Sequence, residues 1–148
     1  MASQKQKLEK LLIHPEVKSW LALMGAFRAI YSSLEKALLI EHCSIPRFQI
    51  LFCLYFKGPQ SQAAIAKILF VTRGNISAFF KRLELLKLIQ KATISKSHKR
   101  PSFCLTRKGI TYFETLFPQH IRRVRSLMPI LRPHMINVLQ KIIERRSL

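Results

Sequence analysis

Three observations predict a mainly α-helical chain with one small β-hairpin. Apolar residues recur at intervals of three and four along most of the 148 positions. One stretch, "LIQKATISKSHKRPSFCLT", switches instead to two short β-type runs around a basic tip. The breaks between helical stretches fall at proline, glycine and cap-forming hydroxyls, with no repeat, no low-complexity tract and no long linker. That length and layout fit one domain.

The elements follow in order. Leu8, Leu11 and Leu12, then Trp20, Leu23, Met24, Phe27, Ile30, Tyr31, Leu34 and Leu38 keep helical spacing from 8 to 40. Pro15 suits the first turn of the main helix, and "SIP" at 44–46 ends it. A second helix is expected from about Pro46 to Phe56, stopped by "KGP" at 57–59. Ser61 can cap a short third helix, "QAAIAKIL", and Thr72 a fourth that reaches about Lys87. The two β runs come next. Thr106 can cap a fifth helix, "RKGITYFETLF", expected to continue, bent at Pro118, through "QHIRRVRSLM". Pro129 and Pro133 interrupt, and a last helix runs from about Pro133 to Arg145.

Charge narrows the class of partner. The chain holds 26 Lys and Arg against 7 acidic residues, all Glu, for a net charge of +19. Such an excess calls for a polyanion, nucleic acid first and an anionic membrane surface second. No apolar run approaches the roughly 18 residues of a membrane span, and His14, Pro15, Glu16 and Lys18 interrupt any leader-type apolar core. Cys43, Cys53 and Cys104 are odd in number and have no CxxC spacing, which fits a reducing cytosol and small buried hydrophobes. Cys43, near a helix end, is the best candidate for a redox-sensing thiol. Without Asp there is no Ser-His-Asp triad, and no carboxylates pair at helical spacing, so an enzyme is not expected.

A short helix, a tight turn and an amphipathic helix followed by a hairpin make the winged form of helix-turn-helix. On the helix at 72–87, Ile76, Phe79, Phe80, Leu83 and Leu86 gather on one side. Gly74, Ser77, Ala78 and Lys81 fall opposite, flanked by Arg73, Asn75 and Arg82. Small residues let a helix approach base edges. Arg and Asn can bond guanine and adenine edges, while Lys and Ser can hold phosphates. With Thr72 at the helix start and Lys96, His98, Lys99 and Arg100 on the hairpin, these residues form the candidate DNA-binding set.

The run "AAIAKILFVTRGNISAFFKRLELLKLIQKATISKSHKRPSFCLTRKG" resembles the MarR family of winged helix-turn-helix transcription regulators. "LTRKG" looks like that family's "LT-x-x-G" opening of the helix after the wing, and "LFPQHIRRV" with the final helix looks like its dimerising C-terminal part. The resemblance implies one domain over 1–148, with dimerisation helices at about 1–42 and 107–148 around a DNA-binding lobe at about 43–106. It further implies a homodimer on double-stranded DNA in a bacterial or archaeal cytosol, acting as a repressor, with no membrane partner. Helix 72–87 would enter the major groove of a pseudo-palindromic site, with wing 95–101 on the backbone or in the minor groove. A small-molecule effector would sit near Arg28 and Tyr31, whereas Trp20 is expected in ordinary core packing. The alternative is a low-specificity architectural binder of DNA or RNA.

Several positions depart from the family pattern. Phe70 and Lys87 stand where glycine is usual. The wing's Asp-x-Arg falls on Ser97 and Lys99, and Ala78 replaces a larger polar residue. Some members bind zinc through Glu, His and Cys. "EHC" at 41–43 has that composition, but the helix after the wing offers only His120, with Leu116 and Val124 four positions to either side, so no metal or other cofactor is expected.

Overall fold

The computed structural model describes residues 3–69, 72–92 and 101–145. Phe70 and the wing residues Lys96, Ser97, His98, Lys99 and Arg100 lie outside the described residues.

Short α1 (Gln4–Glu9) opens on a capping box between Ser3 and Gln6 and passes through a 3-10 turn at Lys10–Ile13. Pro15 starts α2 (Pro15–Ile40), as its fixed φ allows. α3 (Ile45–Lys57) ends at Gly58, whose φ of 74° suits a residue without Cβ. Strand β1 (Gln60–Ser61), α4 (Gln62–Leu69) and α5 (Arg73–Leu85) follow, then strands β2 (Ile89–Lys91) and β3 (Ser102–Leu105). Finally come α6 (Arg107–Leu127), which carries Pro118 within it, and α7 (Pro133–Glu144).

The hydroxyl caps read from the sequence are in place. Ser61 Oγ accepts from the Ala64 N–H, Thr72 Oγ1 from Asn75 and Thr106 Oγ1 from Gly109. The hairpin gains a partner that alternation did not signal. β1 pairs antiparallel with β3, so β3 is the middle strand of three. Two residues are too few to show a period of two.

Among the described residues, the two other than glycine with positive φ both close helices. Beyond α2, the His42 N–H bonds Leu39 O and the Cys43 N–H bonds Leu38 O, with His42 at φ 59°. Beyond α5, Lys87 at φ 58° and Leu88 bond Glu84 O and Leu83 O in the same way. Both are Schellman caps with a side chain at the position glycine favours. The left-handed turn at Lys87 ends α5 at Leu85, two residues before the expected boundary.

The core lies between α2's last turn and the middle of α6. Leu38, Phe48, Leu51, Ile65, Ile76, Phe80, Leu83, Ile89, Phe103, Phe113 and Leu116 are all buried there. Phe80 meets Phe103 edge to face at 4.9 Å, which ties α5 to the sheet. Phe113 packs against Phe48 and Tyr55 of α3. α1 and α7 contribute nothing to this core. Trp20, expected inside, is 57 % exposed, because α2 outruns the lobe it packs on. The α7 stripe is likewise open, with Met135, Val138, Ile142 and Ile143 all in solvent.

Candidate nucleic-acid interface

The core fixes which side of α5 faces out. Ile76, Phe80 and Leu83 are buried and Phe79 and Leu86 pack beside them, as their spacing predicts. Gly74, Asn75, Ser77, Ala78, Lys81 and Arg82 are exposed on the remaining surface, together with the cap residue Thr72. The side chain of Arg73 lies outside the described residues; its backbone opens the helix.

Gly74 is informative because nothing among the described residues demands it. A Cβ built there meets no atom within 4 Å, and its φ is not left-handed. Glycine inside a helix costs about 1 kcal/mol relative to alanine, so the fold gains nothing from it. A partner that must approach closely would gain.

Ser77 is less free than its exposure implies. Its hydroxyl donates to Gln62 Oε1 at 3.0 Å, which links α5 to the start of α4 across the helix-turn-helix. A groove of about 610 Å³ opens on this flank, between the α4 N-terminus and the hairpin, with Glu84 and Lys91 on its walls. Leu85, 66 % exposed at the far end of the outer face, went unnoticed in the sequence. Its place on the helical wheel reveals it, since it lies two turns beyond Ala78 and one turn beyond Lys81 on the same side.

The opening of α6 holds the far end of α5. Thr106 Oγ1 donates to Lys87 O at 2.7 Å, and Lys108 Nζ to Leu86 O at 2.9 Å. Gly109 packs so tightly on the Leu88 carbonyl that any Cβ there would collide with it. "LTRKG" is thus a clamp on the C-terminal end of the outward-facing helix.

The other candidate residues are placed as follows. Arg28 is exposed, and Tyr31 meets Phe27 in a tilted pair at 5.4 Å, with Phe27 mostly in water and Tyr31 about two-thirds covered. Burial pushes the Tyr31 hydroxyl up, with Glu35 adding to the effect. Cys43 is 1 % exposed, and burial drives its thiol upward against the opposing pull of Arg47. A buried neutral thiol is a packing group, not a reactive thiolate. Cys53 is also buried, while Cys104 is partly exposed. Glu41 accepts the Tyr112 hydroxyl at 2.8 Å through its backbone carbonyl. Among the described residues, no three His, Cys, Asp or Glu side chains gather as metal ligands would. Nor is any single helix there long and apolar enough to cross a membrane.

An outward helix with small residues at its front, second in a helix-turn-helix and clamped at its end by α6, is a DNA-reading geometry. Residues 43–98 match the model of the MarR family. Over those residues the chain is similar to the MarR family. It is 26 % identical over 134 residues to the HTH-type transcriptional regulator MhqR of Bacillus subtilis (strain 168), covering 89 % of this chain and 91 % of that one. The fold is similar to that of AbsC, a MarR family transcriptional regulator from Streptomyces coelicolor (TM-score 0.80, 19 % identity, 92 % and 94 % of the two chains). It is also similar to that of BpsR from Bordetella bronchiseptica, whose DNA binding is regulated by 6-hydroxynicotinic acid (TM-score 0.70, 17 % identity, 85 % and 90 %). The relatives that the chain matches in sequence and in fold are transcription regulators.

Proposed function

We propose that the protein acts as a homodimeric repressor, with two copies of α5 in successive major grooves of a pseudo-palindromic site. The observation that carries this reading is the outer face of α5. It is held rigidly from behind by Phe80 and at its end by Thr106 and Lys108, yet is lined in front by Gly74 and Ala78. Two recognition helices related by a twofold axis call for half-sites about 10 base pairs apart. Asn75 and Arg73, at the N-terminal end, are the base readers. Lys81, with Thr72 and Ser77, positions the helix on phosphates. Lys96, His98, Lys99 and Arg100 at the wing tip carry the backbone or minor-groove contact.

The second copy is called for by apolar surface that the single chain leaves in water, from Trp20 and Phe27 on α2 to Ile142 and Ile143 on α7. BpsR is regulated by a small aromatic acid. An aromatic acid near Arg28 and Tyr31 is accordingly the effector class proposed here, and the bacterial or archaeal cytosol is the proposed setting.

One observation favours the architectural alternative. The 26 cations far outnumber the 7 Glu, and among the described residues the single ion pair is Lys5–Glu9, so few cations meet a carboxylate within the chain. The two readings separate by competition. Sequences selected from a random duplex pool are titrated against scrambled duplex at moderate salt. A specific regulator keeps its site by a factor of roughly 10³ or more. In the same assay Asn75→Ala should cost about 1–3 kcal/mol on the selected site and far less on the scrambled one. Lys81→Ala should weaken both and lower the salt slope by about one. Equal losses on both duplexes for Asn75→Ala would favour the architectural binder.

A further inference from the structure

A second basic site lies beside α5, on the flank away from the α4 groove. A cavity of about 460 Å³ is lined by Leu39, His42, Ser44, Arg47, Phe79 and Arg82. Three elements therefore bring two guanidinium groups and an imidazole to one space, and no carboxylate lines it. Glu35 of the adjoining α2 is already engaged, accepting from the Ile45 N–H at 2.7 Å. Arg47 donates through Nε to Ser44 Oγ at 3.1 Å. That bond orients its guanidinium, and its terminal nitrogens meet no acceptor among the described residues.

His42 strengthens the case independently. It occupies the left-handed position of the α2 cap, where glycine avoids a steric penalty. The chain keeps a strained backbone and gains an imidazole at the rim of the cavity. Strain retained in this way is a mark of functional positions.

The location fixes the partner's chemistry. A helix with its side chains is about 10–12 Å across and the major groove about 12 Å wide, so residues on the helix flanks face the sugar–phosphate strands. Phe79 and Arg82 share a flank with Asn75, at spacings of four and seven. We infer that this cavity seats a backbone phosphate of the bound duplex, gripped by Arg47 and Arg82 with His42 and Ser44 at its rim. The inference rests on α5 occupying the major groove. It adds a contact from the α2–α3 junction, which lies outside the helix-turn-helix and the wing. Planar guanidinium groups suit it, because each can offer two parallel N–H donors to a phosphate.

The test is a methylphosphonate scan of the selected duplex, neutralising one phosphate at a time, against wild type, Arg47→Gln and Arg82→Gln. One position in each half-site should weaken wild type by about tenfold. The same substitution should have little further effect on either variant, and each variant should lose about one unit of salt slope on selected and scrambled duplexes alike. His42→Gly should raise the melting temperature while lowering affinity, which separates a lost contact from a lost fold. If no phosphate position couples to Arg47, the clamp is wrong. If inorganic phosphate binds wild type but not Arg47→Gln while DNA affinity is unchanged, the cavity holds a free anion and the duplex reading of it is overturned. Failure of the groove reading itself would look different, since Asn75→Ala would then weaken selected and scrambled duplexes equally.

Discussion

The lobe from α3 to β3 and the helices at the two ends treat the same kinds of side chain in opposite ways. In the lobe, Phe80, Ile65 and Leu51 are wholly buried within one chain. At the ends, Trp20, Phe27, Ile130 and Ile143 are just as apolar and are mostly in water. Hydropathy therefore does not separate the regions; what differs is whether one chain supplies the opposing surface. The lobe packs helices against a small sheet and closes a core. The end helices present stripes for which this chain has no counterpart, and exposed patches of that kind mark interaction surfaces.

The largest expected effect comes from breaking the ends. Ile142→Glu with Ile143→Glu should leave the lobe's unfolding transition in place, turn the species seen by sedimentation into a monomer, and reduce affinity for a two-half-site duplex by about 10²–10⁴-fold, the loss expected when two linked contacts become one. A variant that remains dimeric and binds normally would move the interface elsewhere on the end helices. Next comes a break in the lobe. Phe80→Ala removes a fully buried ring that joins α5 to β3 and should cost about 3–5 kcal/mol in a urea melt. Its effect on binding should follow the fraction folded. The smallest change is a gain. Lys87→Gly relieves a left-handed residue and should raise stability by about 1 kcal/mol, seen as a higher melting temperature. Because Lys87 lines neither the α5 face nor the flank cavity, its DNA affinity should stay close to wild type, in contrast to His42→Gly.

The lobe was largely legible in the sequence, since caps and periodicity are local signals. Thr72, Ser61 and Thr106 marked their helices correctly, and the apolar set of α5 was found residue by residue. What depends on distant contacts was harder to read. Nothing near Gln60 signals that it pairs with Phe103. Trp20 was assigned to the core because an apolar stripe has the same spacing whether its cover is its own chain or another. On the candidate site, helical spacing identified the exposed face of α5. It did not reveal the Ser77–Gln62 bond or the meeting of Arg47 with Arg82, which lie 35 positions apart. Lys87 was flagged as a departure from glycine, and its positive φ gives that departure a physical meaning.

The scarcity of ion pairs has a consequence for how the protein responds to its surroundings. With 26 cationic side chains and a single ion pair, Lys5–Glu9, among the described residues, the folded chain repels itself. Added salt screens that repulsion and should raise the melting temperature of the free protein, while the same salt displaces it from DNA. Fold and grip therefore respond to ionic strength with opposite signs. In dilute buffer the duplex serves as the acidic half that the sequence lacks. The complex should then melt well above the free protein, and the gap should narrow steadily as salt rises.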